Sequence, residues 1–166
     1  LKNLIFSTKL QGYQPVVWYA ETVYARYSQI RSILKDRLGD DVSNILSEPL
    51  IPSSNDTEFV EGKWFSEYIK SGIPLNKIPE PKQTSLLRDL NVKLNQIKSL
   101  SQELKNAADI DSRKLGEILD LAIEIPNSDC ILVENDKIVF VLWGFTSDET
   151  QRTNFKISKY IEKEVE

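Results

Sequence analysis

The sequence predicts an α+β fold in which β-hairpins pack with an amphipathic helix and an antiparallel helical hairpin. Short runs of β-branched and aromatic residues, separated by turn-forming residues, occur towards both ends of the chain. Between them, apolar residues recur every three or four positions, which is typical of helices with one buried face. With 166 residues, of which 40% are hydrophobic, the chain is long enough to bury one core. We therefore expect a single α+β domain over residues 1–166.

The N-terminal region is predicted to form a hairpin followed by a helix. Residues 4–6 and 16–19 are apolar and aromatic runs, and Gly12 lies in a plausible turn between them. Apolar residues spaced by three or four from residue 20 to residue 38 predict a helix. Gly39 follows directly and is expected to end this helix, because glycine adopts the left-handed conformation found at helix C-termini.

The next region is predicted to be less regular. Residues 42–46 predict a short helical turn, and residues 53–56 predict a loop. The apolar residues of 59–65 flank Glu61-Gly62, which predicts a second hairpin turning at Gly62. Three prolines within 72–81 predict an extended connector, which is also a possible internal boundary.

The clearest helical spacing follows the connector. Leucine and isoleucine over 87–108 predict one helix, and a second apolar set over 115–122 predicts another, so the two form an antiparallel helical hairpin. Either Asp109 or Asp111 is expected to cap the second helix by accepting a backbone N–H bond. Intramolecular packing is favoured over a coiled coil, because the heptad-like spacing covers only about three heptads.

The C-terminal region is predicted to contain a buried hairpin and a helix. Residues 130–133 and 137–143 are apolar at successive positions, which indicates strands covered on both faces. Asn135 and Asp136 tolerate the left-handed conformation of a tight turn between them. The polar tail over 146–166 is expected to be helical.

Residue types exclude several chemistries within this chain. It has no histidine and a single cysteine, Cys130, so serine–histidine and cysteine–histidine catalysis and a structural zinc site are excluded. Its six glycines do not form a phosphate-binding loop. Cys130 begins an apolar strand, where a thiol is usually buried and unreactive. We predict no catalytic residue, no metal ligand and no cofactor, and the sequence does not define a small-molecule ligand.

Acidic pairs keep one alternative open, an enzyme that uses carboxylates with a divalent metal or acts on a sugar. The pairs are Asp40 with Asp41, Asp109 with Asp111, and Asp148 with Glu149. Each pair also fits a helix start or a polar tail, and we favour this capping interpretation.

The charge pattern bears on partners and location. The net charge of −4 gives no broad positive field, so a nucleic-acid partner is not expected. Five basic residues over 82–105 leave open a nucleic-acid clamp as a third hypothesis, although such mixed faces are usually solvated. No apolar run is long enough for a membrane span, and a single cysteine favours a reducing compartment, so we expect a cytoplasmic chain. It begins at Leu1 and contains no methionine, which suggests a piece of a longer protein.

The order of these segments resembles the N-terminal region of SrfA-like bacterial proteins, a poorly characterised virulence-associated group. The likeness spans residues 20–145 and includes the segments 48–51, 63–66 and 139–145. A Trp-Tyr pair after a Pro-Val segment and a closing Trp-Gly-Phe are similar to those of the group, whereas Phe65 stands where an aromatic hydroxyl is expected. The resemblance implies a bacterial module of a larger assembly, with another protein subunit as partner, and supplies no catalytic residues.

We therefore expect a non-catalytic protein-interaction or scaffolding module. Interface centres favour aromatic anchors, so we predict that exposed aromatic and apolar residues near the proline-rich connector bind the partner. They are Trp64, Tyr68 and Ile73.

Overall fold

The computed structural model describes residues 1–53, 60–147 and 155–165. It has an α+β fold, in agreement with the sequence prediction, with small antiparallel sheets packed against helices. One cluster of buried apolar residues draws on the strands and helices alike.

The strands within the described residues are short, and most of them pair with a strand that is distant in the chain. Their bounds are β1 Asn3–Lys9, β2 Tyr13–Pro15, β3 Val17–Trp18, β4 Glu21–Thr22, β5 Glu48–Leu50, β6 Glu61–Ser66, β7 Ile73–Pro74, β8 Ile131–Glu134, β9 Lys137–Phe140 and β10 Phe145–Ser147. They form two three-stranded sheets, β1-β6-β5 and β7-β8-β9, and two ribbons, β10-β2 and β3-β4.

The helices within the described residues comprise five α-helices and several single turns of 3₁₀-helix. The α-helices are α1 Tyr27–Leu38, α2 Asp40–Ser43, α3 Lys82–Lys105, α4 Ile110–Ala122 and α5 Ile157–Val165. The 3₁₀ turns are Val23–Arg26, Leu75–Lys77 and Ser128–Cys130.

The predicted first hairpin is wrong, although its turn is present. Gly12 has a φ of 85° in a turn after β1, but β1 pairs with β6 and β2 pairs with β10. The chain therefore reverses at Gly12 without joining the two flanking strands. Strand β1 pairs with β6 because this pairing buries apolar rings. Phe6 packs against Trp64 across the two strands, with ring centroids 5.8 Å apart.

The predicted second hairpin is also wrong. Gly62 lies inside β6, opposite Thr8, rather than in a turn. A Cβ atom at Gly62 would lie 2.8 Å from Cη2 of Trp64, so glycine is required there for space. The tryptophan ring covers this stretch of backbone, and β6 becomes the central strand of its sheet.

Helix α1 ends where predicted, at Gly39, whose φ is 94°. Its predicted start at residue 20 is wrong, because α1 begins at Tyr27. Residues 17–22 instead form the β3-β4 hairpin, and a 3₁₀ turn follows it. The helix-like spacing of apolar residues begins before the helix itself. A 3₁₀ turn and a tight hairpin also bring side chains to one side, so their residues resemble an extension of α1.

The helical hairpin is confirmed. Helices α3 and α4 pack so closely at Gly116 that a Cβ atom there would lie 2.7 Å from the carbonyl oxygen of Ser101. The Ser101 hydroxyl donates to the carbonyl oxygen of Gly116 at 2.6 Å, which explains a polar residue in the apolar seam. Of the two predicted capping residues, Asp109 is the one that caps α4. Its carboxylate accepts a hydrogen bond from the backbone N–H of Ser112 at 2.9 Å.

The predicted C-terminal hairpin is confirmed as core. Strands β8 and β9 pair through a turn in which Asn135 has a φ of 56°. The apolar residues of both strands are buried. The predicted connector contributes β7, which pairs with β8, and then one 3₁₀ turn with Leu75 buried. Its proline-rich segment is thus part of the sheet edge.

The expected C-terminal helix is present as α5, which packs against α3, but its predicted start at residue 146 is wrong, because Phe145–Ser147 forms strand β10. The pair Asp148-Glu149, the loop residues 54–56 and the strand residue Phe59 lie outside the described residues. Among the helices that are described, none combines the length and the apolar character needed to cross a membrane.

Candidate protein-interaction surface

The three residues predicted to bind a partner do not form one exposed patch. The expectation that Trp64 is exposed is wrong, because its side chain is fully buried beneath the β1-β6-β5 sheet. Tyr68 is half-buried and already engaged: its hydroxyl donates to Asp41 at 3.2 Å, and Lys137 lies 4.9 Å from its ring centroid. Ile73 is 51% exposed on β7.

Asp109 and Cys130 take structural positions, as a helix cap and a buried thiol. Within the described residues, no three His, Cys, Asp or Glu side chains come together as a metal-binding group. The bonds from Ser112 hold the pKa of Asp109 below its ordinary value, as expected for a cap. Burial raises the pKa of the Cys130 thiol to about 12, so this side chain is protonated at neutral pH.

The β3-β4 hairpin carries the most exposed aromatic side chain described here. Its two-residue turn consists of Tyr19 and Ala20, and the Tyr19 side chain is 75% exposed. Val17, on the preceding strand, is 55% exposed. The hairpin therefore presents apolar surface to solvent at the tip of a tight turn.

The backbone of this turn is strained. Tyr19 and Ala20 have φ values of 49° and 66°, in the left-handed region that usually requires glycine, asparagine or aspartate. A residue with a Cβ atom costs about 1–2 kcal/mol there. Alanine has no polar side-chain atom, and the Tyr19 hydroxyl has no hydrogen-bond partner among the described residues, so neighbouring contacts must hold the turn in place.

The contacts below the turn provide that support. Trp18 is half-buried and donates through Nε1 to the Glu117 carboxylate of α4 at 2.9 Å. Its ring packs edge-on against that of Tyr19, with centroids 4.4 Å apart. Glu21, on the returning strand, accepts from Nε of Arg26 at 2.8 Å. The aromatic tip is thus fixed to α4 and to the 3₁₀ turn.

A concave site of about 240 Å³ lies beside the hairpin, against α4. Trp18 and Lys114 are on its wall, and Nζ of Lys114 lies 6.0 Å from the Tyr19 ring centroid. Ile110 precedes Lys114 by one helical turn and is 57% exposed. We call Val17, Trp18, Tyr19, Ile110 and Lys114 the Tyr19 surface.

The sequence prediction missed this surface because it assigned residue 20 onwards to a helix. The Trp18-Tyr19 pair was the available signal, but a turn without glycine or asparagine gives no conventional hairpin pattern.

The chain is thus an α+β protein with an exposed aromatic turn, and the residues flanking this turn contact α4 and the 3₁₀ turn. Comparison with protein-family models, with curated proteins and with solved structures finds no match to this chain.

Proposed function

We propose that this chain is a non-catalytic protein-interaction module that binds another protein subunit through the Tyr19 surface. The observation that carries the proposal is the exposed Tyr19 ring on a strained turn that neighbouring contacts hold rigid. Strained backbone is retained where the surrounding structure over-determines it, and such positions cluster at functional sites.

The composition of the surface supports this proposal. Tyrosine and tryptophan dominate the binding energy of interfaces, because they bury a large area with few rotatable bonds. A turn that is already ordered loses little conformational entropy on binding. Val17 and Ile110 are further exposed apolar residues, the first beside Trp18 in β3 and the second one helical turn before Lys114, and Lys114 supplies a charged group beside the Tyr19 ring.

The wider setting of the module is proposed from the resemblance to SrfA-like proteins. It implies a bacterial multi-component system associated with virulence, in which this domain contributes a binding surface.

Site-specific photo-crosslinking in the cells that produce the protein tests the proposal. A benzophenone amino acid is placed at residue 19 or 110, and at two control positions. Val92 on α3 is exposed far along the chain from the hairpin, and Ile73 is the exposed residue of the sequence-predicted site. We expect the same partner to be captured from 19 and 110 and not from 92. Capture from 73 alone would instead support the sequence-predicted site.

Two alanine variants separate binding from stability. Tyr19→Ala and Val92→Ala both remove exposed apolar side chains, so each should change the free energy of unfolding by no more than about 0.5 kcal/mol. Tyr19→Ala should weaken the captured complex by at least about tenfold, as expected for an aromatic anchor. Equal affinity of the two variants for the partner would refute the proposal.

A further inference from the structure

A second concave site lies on another part of the molecule, between α1 and the edge of the β1-β6-β5 sheet. Its volume is about 120 Å³, the space of about four water molecules. The side chains that can bind a ligand there come from five places in the chain: the N-terminal segment, α1, the residue after α2, strand β5 and the residue after β6. They are Lys2, Tyr27, Arg31, Asn44, Glu48 and Glu67.

Arg31 is the central cation of this site. It is half-buried, and its Nη1 donates to the Tyr27 hydroxyl at 3.3 Å and to Oδ1 of Asn44 at 3.1 Å. Within the described part of the chain it forms no ion pair and no other hydrogen bond. A guanidinium has five N–H donors, so three of them, on Nε and Nη2, have no protein acceptor.

The neighbouring polar groups add neutral donors. Burial raises the pKa of Tyr27, so its phenol keeps its proton at neutral pH and can donate it to an acceptor in the site. The amide nitrogen of Asn44 offers two further N–H groups beside the Oδ1 that accepts from Arg31. The donors on one side of the site therefore match a carboxylate, which accepts in a bidentate manner from a guanidinium.

The acidic residues limit the net charge of a ligand. Glu48 is paired with Lys2, whereas Glu67 is exposed and forms no ion pair within the described residues. Two cationic and two anionic side chains line the site, so their formal charges sum to zero. A dianion such as phosphate would be repelled by Glu67, while a ligand with both an anionic and a cationic group would satisfy both sides.

We propose that this site binds a small α-amino acid as a zwitterion, with its carboxylate on Arg31 and its ammonium group towards Glu67. The volume of the site is close to that of a small amino acid such as glycine or alanine. The site shares no lining residue with the Tyr19 surface, so this proposal stands apart from the proposed function.

Isothermal titration calorimetry on the whole chain tests the proposal with glycine and alanine as probes. Acetate carries only the carboxylate, methylamine carries only the ammonium group, and inorganic phosphate carries between one and two negative charges near neutral pH. We expect both amino acids to bind at least about tenfold more tightly than acetate, because only they add a charged hydrogen bond to Glu67. Methylamine and phosphate should give no binding heat. Acetate affinity equal to that of glycine, or no binding of either amino acid, would overturn the proposal.

Three variants assign the binding to these residues. Arg31→Gln should abolish glycine binding, and Glu67→Gln should weaken it by about tenfold without weakening the binding of acetate, which Glu67 repels. Glu67 is exposed, so its variant stays informative even where Arg31→Gln lowers stability. Arg37→Gln removes an exposed arginine of the same helix, paired with Glu103, and should bind as the wild type does. Loss of glycine binding in the Arg37 variant, or unchanged glycine affinity in the Glu67 variant, would contradict the assignment.

The same titration distinguishes the two proposals. Tyr19→Ala should bind glycine normally, and Glu67→Gln should retain the partner captured at residue 19.

Discussion

The helical hairpin α3-α4 and the N-terminal sheet β1-β6-β5 are stabilised by contacts of opposite range. In the first, each helix packs on its neighbour in the chain, and Ser101 of α3 bonds directly to Gly116 of α4. In the second, Asn3 is opposite Ser66, and the adjoining β2-β10 ribbon places Pro15 opposite Phe145. A substitution in the helical hairpin should therefore disturb a contact between neighbouring segments. A substitution in the sheet should disturb a contact between segments that are distant in the chain.

The largest expected loss of stability follows a substitution at Gly116, where α3 and α4 are in close contact. Gly116→Ala places a Cβ atom 2.7 Å from the Ser101 carbonyl oxygen and 2.9 Å from the backbone nitrogen of Lys105. Backbone atoms cannot rotate away, so α3 and α4 must separate. We expect a loss of about 3 kcal/mol in the free energy of unfolding, measured by urea denaturation.

Asn91→Ala is the control for that experiment, because Asn91 is exposed on α3 and makes no such contact. It should change stability by no more than about 0.5 kcal/mol. Equal stability of the two variants would show that the helices adapt to the added methyl group.

The next comparison uses the two fully buried tryptophans, Trp64 and Trp143. Trp143 donates through Nε1 to the carbonyl oxygen of Ser47 at 2.7 Å, whereas Nε1 of Trp64 has no acceptor among the described residues. Both side chains are fully buried, so replacing either by phenylalanine removes a similar volume. We expect Trp143→Phe to be the more destabilising by about 1–2 kcal/mol, because only it breaks a hydrogen bond.

Urea denaturation of both variants under the same conditions measures this difference. Equal losses would indicate that the Trp64 indole finds an acceptor in solution, for example a buried water molecule.

A smaller loss of stability, which depends on pH, is expected when the contact between β8 and the segment after β6 is removed. The Glu134 carboxylate accepts from the backbone N–H groups of Lys70 and Ser71, at 3.0 and 3.2 Å, and these bonds lower its pKa. A lowered pKa in the folded state means that the contribution is present near neutral pH and is lost as the pH falls below about 4. Glu134→Gln should lower the urea midpoint at pH 7 and converge with the wild type in acid.

Glu162→Gln, an exposed substitution on α5, is the matched control and should follow the wild-type pH dependence. A constant difference between wild type and Glu134→Gln across the acid range would contradict the role of the carboxylate charge.

The smallest expected effect is a gain in stability at the strained turn. Ala20→Gly removes the Cβ atom from a residue with a φ of 66°, which relieves strain but raises the entropy of the unfolded chain. We expect a net gain of about 0.5 kcal/mol in the free energy of unfolding.

Ala108→Gly provides the comparison, because Ala108 is exposed and lies outside the left-handed region, so only the entropic loss remains. Thermal unfolding of both variants should move in opposite directions. A loss of stability in Ala20→Gly would mean that the turn is not strained in solution.

The contrast between near and distant contacts also explains what the sequence allowed us to predict. The α3-α4 hairpin, its Asp109 cap and the turn at Asn135 depend on residues that are neighbours in the chain, so their spacing is visible in one sequence. Gly62 was assigned to a turn because its true constraint is the ring of Trp64 lying over it, which only the folded sheet creates. The pairing of β1 with β6 leaves no local pattern.

The candidate site was less accessible to prediction than the fold. Tyr19 and Ala20 carry no turn-forming signal, and the apolar spacing of the following residues favours a helix there. Arg31 looks like an ordinary exposed residue on α1, and its unused donors become evident only when Asn44 and the sheet edge surround it.

The buried thiol provides a direct way to follow the motions of this core. Cys130 is the only cysteine in the sequence, and it is protonated at neutral pH where it joins β8. A thiol-alkylating reagent can therefore modify it only in molecules that have opened at this strand. The rate of alkylation measures the opening equilibrium of the β7-β8-β9 sheet at one native residue, and its dependence on reagent concentration separates slow opening from rapid opening and reclosing.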